Sequence, residues 1–389
     1  MRTASAPRPS IEMLVLQSTP FCNLDCSYCY LPNRASKRQM SEATLERTFE
    51  RVFASPFLSD HLTVLWHAGE PLVPGVAYYE KTFAIIDRLR PAGLAISHSI
   101  QTNATLLNRQ WIDFFRAHDV RLGTSIDGPA ELNDRCRKTR NGGGSFEQTM
   151  RGIRLLQEQD YPFHVITVLT RESLRQPRRL FDFYVENGIS RVAFNVEEIE
   201  GVHATSSLSG QDADREVREF YETFMDLIET QDGKIEVREF AGAFAAIANP
   251  ESVHYGNPLA EPLRTLSIGV GGEIGSFAPE LLGYGSARHG ELVFGNIHDN
   301  EIVDVLRDPK FITVNGEIAR GLERCRTSCE YFSICQGGSP ANKLFENGSF
   351  DSTETLFCRL SKKAVVDVVL TRTERAYNLR PTSASAVAL

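Results

Sequence analysis

Along the first half of the chain, short apolar runs alternate with longer stretches of 3.6-residue periodicity. Ile11 to Gln17 reads as a strand, and after a polar loop a helix runs from about Ser41, a plausible N-cap, to Phe53. The alternation then repeats. Strands are predicted at Leu62 to Trp66, Leu94 to Gln101, Val120 to Ile126, Phe163 to Leu169 and Arg191 to Val196. Helices fall near Val76 to Leu89, Asn108 to His118, Ser145 to Gln159 and Pro177 to Asn187. Six strands alternating with helices predict an α/β fold with parallel pairing and right-handed crossovers. Length does not separate an open sheet from a curved partial barrel, but in either case function sits at the C-terminal strand ends.

Past Val196 the pattern changes. Glu197-Glu198-Ile199-Glu200-Gly201 leads into a polar Ser/Gly stretch and an amphipathic helix from Asp212 to Glu229. A second helix near Phe240 to Ala248 precedes a hairpin, Leu266 to Val270 and Glu273 to Phe277, around Gly271-Gly272. A last helix carrying Val365, Val366, Val368, Val369 and Leu370 runs from Arg359 to about Arg375. These shifts divide the chain into a strand-helix unit (11–200), a helical bridge (201–262), a cysteine-rich unit (263–376) and a small polar tail (377–389) expected to be disordered.

At 389 residues and 42% hydrophobic, the chain can bury a large core. Its 42 Lys and Arg against 50 Asp and Glu give a net charge of -8 with no long basic run, which disfavours a nucleic-acid groove. Met1 to Ser10 lacks an apolar signal core, and nowhere do 18 apolar residues run together. The expectation is a cytoplasmic protein partnered by neither nucleic acid nor membrane. Seven of the eight cysteines fall into two spaced sets, which suits metal binding in a reducing compartment better than disulfides.

The first set, Cys22-x3-Cys26-x2-Cys29, directly follows an apolar strand. Three thiolates cannot saturate four irons, so a 4Fe-4S cluster held here keeps one iron open to a bidentate small molecule. A zinc loop would want paired C-x2-C units supplying four ligands, and three cysteines cannot pair among themselves as disulfides. With Tyr28 as the aromatic, this C-x3-C-x-aromatic-C stretch resembles the signature of the radical S-adenosylmethionine (SAM) enzymes. The resemblance implies a partial (β/α)6 barrel, open on one side. It also implies that the open iron chelates the amino and carboxylate groups of SAM and passes an electron to its sulfonium. A 5'-deoxyadenosyl radical results, fed by a reducing partner such as flavodoxin or ferredoxin.

The strand ends carry further parts of that resemblance. His67-Ala68-Gly69-Glu70-Pro71 is similar to the family's G-G-E-P motif with Ala for the first Gly, and backbone groups plus one carboxylate there suit the SAM amine. Gln101-Thr102-Asn103 and Ser125-Ile126-Asp127-Gly128-Pro129 resemble the family's T-N and S-x-D-G-P segments. Thr102, Asn103 and Ser125 are then expected at the ribose hydroxyls and methionyl carboxylate, with Asp127 pointing its charge into the barrel mouth. Arg137 stands where relatives pair an Arg with the SAM carboxylate, and Val168 where the adenine is lined. Taken singly, each motif also fits ordinary turn chemistry. Cys136, His67, His98 and His164 are expected to be structural.

The second set is Cys325-x3-Cys329-x5-Cys335 with Cys358 further on, a spacing open to a zinc ribbon or a closed iron-sulfur site. The segment resembles the C-terminal SPASM extension of radical SAM peptide maturases, whose full form holds two auxiliary clusters. Here Ser339 occupies the position of a further Cys, and Gly271 to Ala278 contains none. The resemblance therefore implies one auxiliary 4Fe-4S cluster, fully ligated. Glu197 to Gly201, Gly337 to Lys343 and Phe345 to Gly348 look most like the cyclophane-forming group, the three-residue cyclophane makers of the glycine-rich-repeat system. That implies a ribosomally made precursor peptide, abstraction of a β-hydrogen and a C-C crosslink to an aromatic ring. Asp127, Glu197 or Glu198 would take the proton and the auxiliary cluster the electron. The competing expectations are other SPASM maturase chemistry, such as thioether formation or anaerobic sulfatase formylglycine formation, and, from another class, a zinc-stabilised binding or scaffold protein.

Overall fold

The computed structural model describes residues 9–231, 234–249 and 256–376. The expected disordered tail, 377–389, lies outside the described residues. The first half follows the alternation read from the pattern. It begins β1 (Ile11–Leu16), α1 (Glu42–Phe53), β2 (Leu58–Trp66), α2 (Val76–Leu89) and β3 (Ala95–Thr102). Next come α3 (Arg109–Ala117), β4 (Arg121–Ser125), α4 (Ala130–Cys136), α5 (Phe146–Glu158) and β5 (Phe163–Leu169). Then α6 (Arg171–Leu174), α7 (Pro177–Glu186) and β6 (Arg191–Val196) complete the six units.

Side chains that need water decide where the helices start. Ser41 Oγ accepts from Thr44 N at 3.0 Å to cap α1, and Asn108 Oδ1 accepts from Trp111 N at 3.2 Å to cap α3. Pro177 opens α7 at a position whose N-H would have no intrahelical partner anyway. The short helix α4, which the periodicity does not announce, ends in Arg137, whose N-H donates to Asn133 O at 2.8 Å.

The later chain adds α8 (Ala213–Thr230), β7 (Glu236–Val237), α9 (Arg238–Ala248) and the hairpin strands β8 (Thr265–Ile268) and β9 (Ile274–Ser276). Helices α10 (Ile302–Val305), α11 (Pro309–Ser328), α12 (Phe332–Cys335), α13 (Pro340–Asn347) and α14 (Ala364–Ala376) follow. These nine strands join one sheet in the order β7-β6-β5-β4-β3-β2-β1-β8-β9, and the short segments Gly285–Ser286 and Gly290–Glu291 pair separately as an antiparallel ribbon. Within the sheet every pair from β7 to β8 is parallel, and only β9 runs antiparallel. The sheet is thus a partial barrel that ends at β7 and β9, and the outer side of β9 is covered by the segment around Gly295, where Ile274 N donates to Gly295 O at 2.9 Å. The hairpin expected in the cysteine-rich part instead extends the barrel sheet, with Leu14 opposite both Val64 and Leu266.

Period-two alternation sorts the strand residues. Leu62, Val64 and Trp66 of β2, and Val165, Thr167 and Leu169 of β5, are fully buried under the helices. Their neighbours Ile166 and Val168 turn to the concave face. One apolar core lies beneath α1–α3 and the segment around Phe277, Phe294 and Phe311; a second lies between β5, β6, α7, α8 and α14.

Candidate active site

The loop after β1 is held from both sides. Asp25 N donates to Lys138 O at 2.7 Å and Ser27 N to Cys136 O at 3.0 Å, which fastens the cysteine loop to the chain leaving α4. At the end of β2, Ala68 and Gly69 both adopt left-handed backbone, with φ of 70° and 72°. A Cβ on Gly69 would meet Thr19 O at 2.2 Å, so only glycine lets the two loops approach this closely. Ala68 tolerates the left-handed geometry at a cost of about 1 kcal/mol.

Cys22, Cys26 and Cys29 are free thiols on one wall of a cavity of about 280 Å³. Tyr28, Ala68, Gly69, Glu70, Thr102, Asn103, Ser125, Arg137 and Val168 line the same cavity, so the motifs scattered along five strand ends meet at one place. Glu70, 1% exposed, accepts from Thr102 Oγ1 at 2.6 Å, Asn103 N at 2.9 Å and Leu72 N at 3.0 Å. Three of its roughly four acceptor positions are therefore filled by the protein, leaving one for a ligand ammonium. Burial pushes its carboxyl above the ordinary value and these hydrogen bonds oppose the rise. Asn103 Nδ2 reaches Asn23 Oδ1 at 2.8 Å and Cys22 Sγ at 3.8 Å, tying the end of β3 to the first cysteine.

Asp127 is not in the cavity lining. Its carboxylate, 3% exposed, receives Tyr28 Oη at 2.5 Å, Arg137 Nη2 at 3.0 Å and Val168 N at 3.0 Å. All three donor residues line the cavity and Asp127 does not, so the charge expected in the mouth instead fixes Arg137 and the signature tyrosine. Arg137 also lies over the Tyr28 ring, 5.5 Å from its centroid. Burial opposes the guanidinium charge, and Asp127 together with Tyr28 and Cys26 outweighs it, holding the group above its ordinary range. Its Nε is buried without a partner, an unfilled donor beside the cavity.

Glu197 likewise points away, accepting from Ser207 N at 2.8 Å and facing His203 Nε2 at 3.2 Å. Glu198 does line the cavity and accepts from Asn342 Nδ2 of α13 at 2.7 Å. Glu200 and Glu280, which motif reading did not single out, line it as well. Burial, reinforced by Glu280 and Glu346 against the Asn342 hydrogen bond, pushes the Glu198 carboxyl up to about 8. Burial and the neighbouring Glu198 and Glu280 drive the Glu200 carboxyl well above its ordinary value. Glu200 sits inside a run that was read as a unit; Glu280 comes from the turn after β9, and only the fold brings it here. His67, lowered to about 4 by burial, stands 3.3 Å from Tyr30 Oη on the same wall.

A second cavity, about 500 Å³, is bordered by Cys325, Cys329, Cys335 and Cys358. The turn-rich reading of this segment misses that Cys325 lies in the last turn of the 20-residue helix α11. Cys335 closes α12, and Cys358 begins a π-helical stretch to Lys363 ahead of α14. Ser339, in place of a further cysteine, caps α13 by accepting from Ala341 N at 3.2 Å. Among the described residues no three His, Cys, Asp or Glu side chains converge on a single ion. Four thiols bordering one cavity can hold either a zinc ion or an iron-sulfur cluster. The unfilled Arg137 donor, the remaining Glu70 acceptor position and the three thiols together fit a zwitterionic amino acid bound on a cluster.

Comparison with known proteins agrees with this geometry. Residues 16–184 match the model of the Radical SAM superfamily. An uncharacterized protein of Synechocystis sp. is 39% identical over 372 residues, covering 95% of this chain and 93% of that protein. The serine-type anaerobic sulfatase-maturating enzyme of Klebsiella aerogenes is 33% identical over 202 residues, 51% of this chain and only 50% of that enzyme. The solved structure of native anSMEcpe with bound AdoMet and Cp18Cys peptide superposes with a TM-score of 0.76 at 21% identity, covering 96% of this chain and 100% of that one. No helix among the described residues is long and apolar enough to cross a membrane. Residues 16–184 of the chain form a Radical SAM domain, which implies SAM and a 4Fe-4S cluster, and the chain is related to the anaerobic sulfatase-maturating enzymes.

Proposed function

We propose that this protein is a radical SAM peptide maturase that oxidises a ribosomally made precursor peptide by two electrons, joining an aromatic ring carbon to an unactivated β-carbon. Cys22, Cys26 and Cys29 would hold the cluster that cleaves SAM, with Glu70 and Arg137 at its amino and carboxylate ends. Methionine and a 5'-deoxyadenosyl radical form, and the radical takes a β-hydrogen to become 5'-deoxyadenosine. The carbon radical adds to the neighbouring arene, and the adduct gives up one proton and one electron.

The observation that carries this reading is the juxtaposition of two sinks. Glu198, Glu200 and Glu280 line the cavity, and Asn342 of α13 links Glu198 to the four-cysteine cavity behind it. A carboxyl raised to about 8 is largely protonated at neutral pH, and its ionised fraction is a stronger base than an ordinary carboxylate. A fully thiolate-ligated cluster favours electron transfer over substrate coordination. Co-expression with small peptides encoded beside the gene, followed by mass spectrometry, tests it. The expected product has lost two hydrogens, with fragmentation blocked between an aromatic residue and its partner.

Formylglycine formation is the second reading, favoured by the likeness to the Klebsiella enzyme over half its length. It is the outcome if the mass loss localises to one Cys or Ser. The departures at Ser339 and in the cysteine-free hairpin, Gly271 to Ala278, argue for the crosslinking chemistry.

A further inference from the structure

Consecutive residues of α13 face the two cavities. Asn342 reaches Glu198 in the first, and Lys343 Nζ reaches Cys325 Sγ in the second at 3.4 Å. Lys343 is only 4% exposed, and among the described residues no carboxylate lies within ion-pair distance of it. Two further lysines border this cavity and are more exposed to other partners: Lys363 pairs with Glu354 while also facing Cys358 and Cys329, and Lys362 lies over the Phe357 ring, 5.8 Å from its centroid, while also facing Cys335. A buried ammonium without a counter-charge is unfavourable, so its partner must be the sulfur ligands themselves. Gly321 of α11 has no Cβ, and one built there would stand 3.3 Å from Lys343 Nζ and 2.2 Å from Phe350 O.

We infer that Lys343 is a positioning residue for the electron-accepting step: its ammonium, donating to the Cys325 sulfur, raises the reduction potential of a cluster held by Cys325, Cys329, Cys335 and Cys358. This rests on the reading that these cysteines hold an auxiliary 4Fe-4S cluster. Each turnover would transfer to that cluster the one electron released by the cyclised adduct radical, while the accompanying proton goes to the Glu198 side. The cluster gains negative charge on reduction. A fixed positive charge at hydrogen-bond distance therefore favours the reduced form.

The test uses the full chain with Cys22, Cys26 and Cys29 all replaced by Ala, so that only the second site can load. Iron content and an EPR-monitored redox titration are compared for Lys343, Lys343→Met, Lys343→Gln and Lys343→Arg. The neutral variants are expected to retain iron and to shift the equilibrium toward the oxidised cluster by at least tenfold, 59 mV for a one-electron couple. Lys343→Arg should stay within threefold of Lys343. The inference falls if the neutral variants load iron with potentials within threefold of Lys343. It falls equally if they load none while Lys343→Arg does, because the lysine is then part of the site's architecture. If the parent triple variant binds no iron, the auxiliary-cluster reading itself is wrong and takes the inference with it.

Discussion

Single atoms set the limits at the mouth of the barrel. Gly69 is the clearest case, since its missing methyl group is what allows the β2 end and the cysteine loop to touch. Gly69→Ala is expected to displace the loop, lower stability by about 1–3 kcal/mol and cut the iron bound at Cys22, Cys26 and Cys29, measured by iron assay after anaerobic reconstitution. Glu198 sets a pH dependence. Its carboxyl titrates near 8 in the folded protein against an ordinary 4.5, so the neutral form is favoured by folding. The associated stability is present below the ordinary value and is lost as pH rises through about 8. The melting temperature should fall across that window, and Glu198→Gln should flatten part of the fall. An equally steep profile in the variant would assign the effect to Glu200 and Glu280. The cysteines and the strand-end motifs were legible because their residue types are chemically distinctive. Asp127 was legible as a residue and not as a direction, since nothing in Ser-Ile-Asp-Gly-Pro says that Tyr28, Arg137 and Val168 will claim both its oxygens.

At the scale of elements, the first six strands were readable because parallel strands buried under helices show as short apolar runs. β5 is the plainest, with one set of alternate residues buried and the other facing the cavity. Helix α11 was not readable. Glu317 and Gly321 interrupt the buried face that Phe311, Val314, Ile318 and Cys325 would otherwise mark, and Gly321 is there for a reason beyond helix propensity, the close pass of Phe350 O. Gly321→Ala improves intrinsic helix propensity by about 1 kcal/mol. It is nonetheless expected to destabilise the protein, because the added carbon would stand 2.2 Å from that carbonyl. Thermal unfolding decides the sign, and a raised melting temperature would show that the α11 contact with the Phe350 segment can relax.

For the molecule as a whole, the hairpin's destination was the fact least available to pattern. Leu266 and Ile268 look like any short strand, and which edge they join depends on pairing across some 250 residues of intervening chain. Without β8, the strand that carries the cysteine loop would present an open, apolar edge. A chain stopped at Thr230 is accordingly expected to sediment with insoluble material, whereas a monodisperse fragment in gel filtration would mean that β1 needs no second neighbour.

That pairing also orders events during synthesis. β1 emerges from the ribosome long before its partner β8, and at translation rates of about 5–20 residues per second the wait lasts tens of seconds. Throughout that interval β1, and with it the loop that carries the three thiols, stands without one of its two neighbouring strands, and the wall is complete only when β8 arrives.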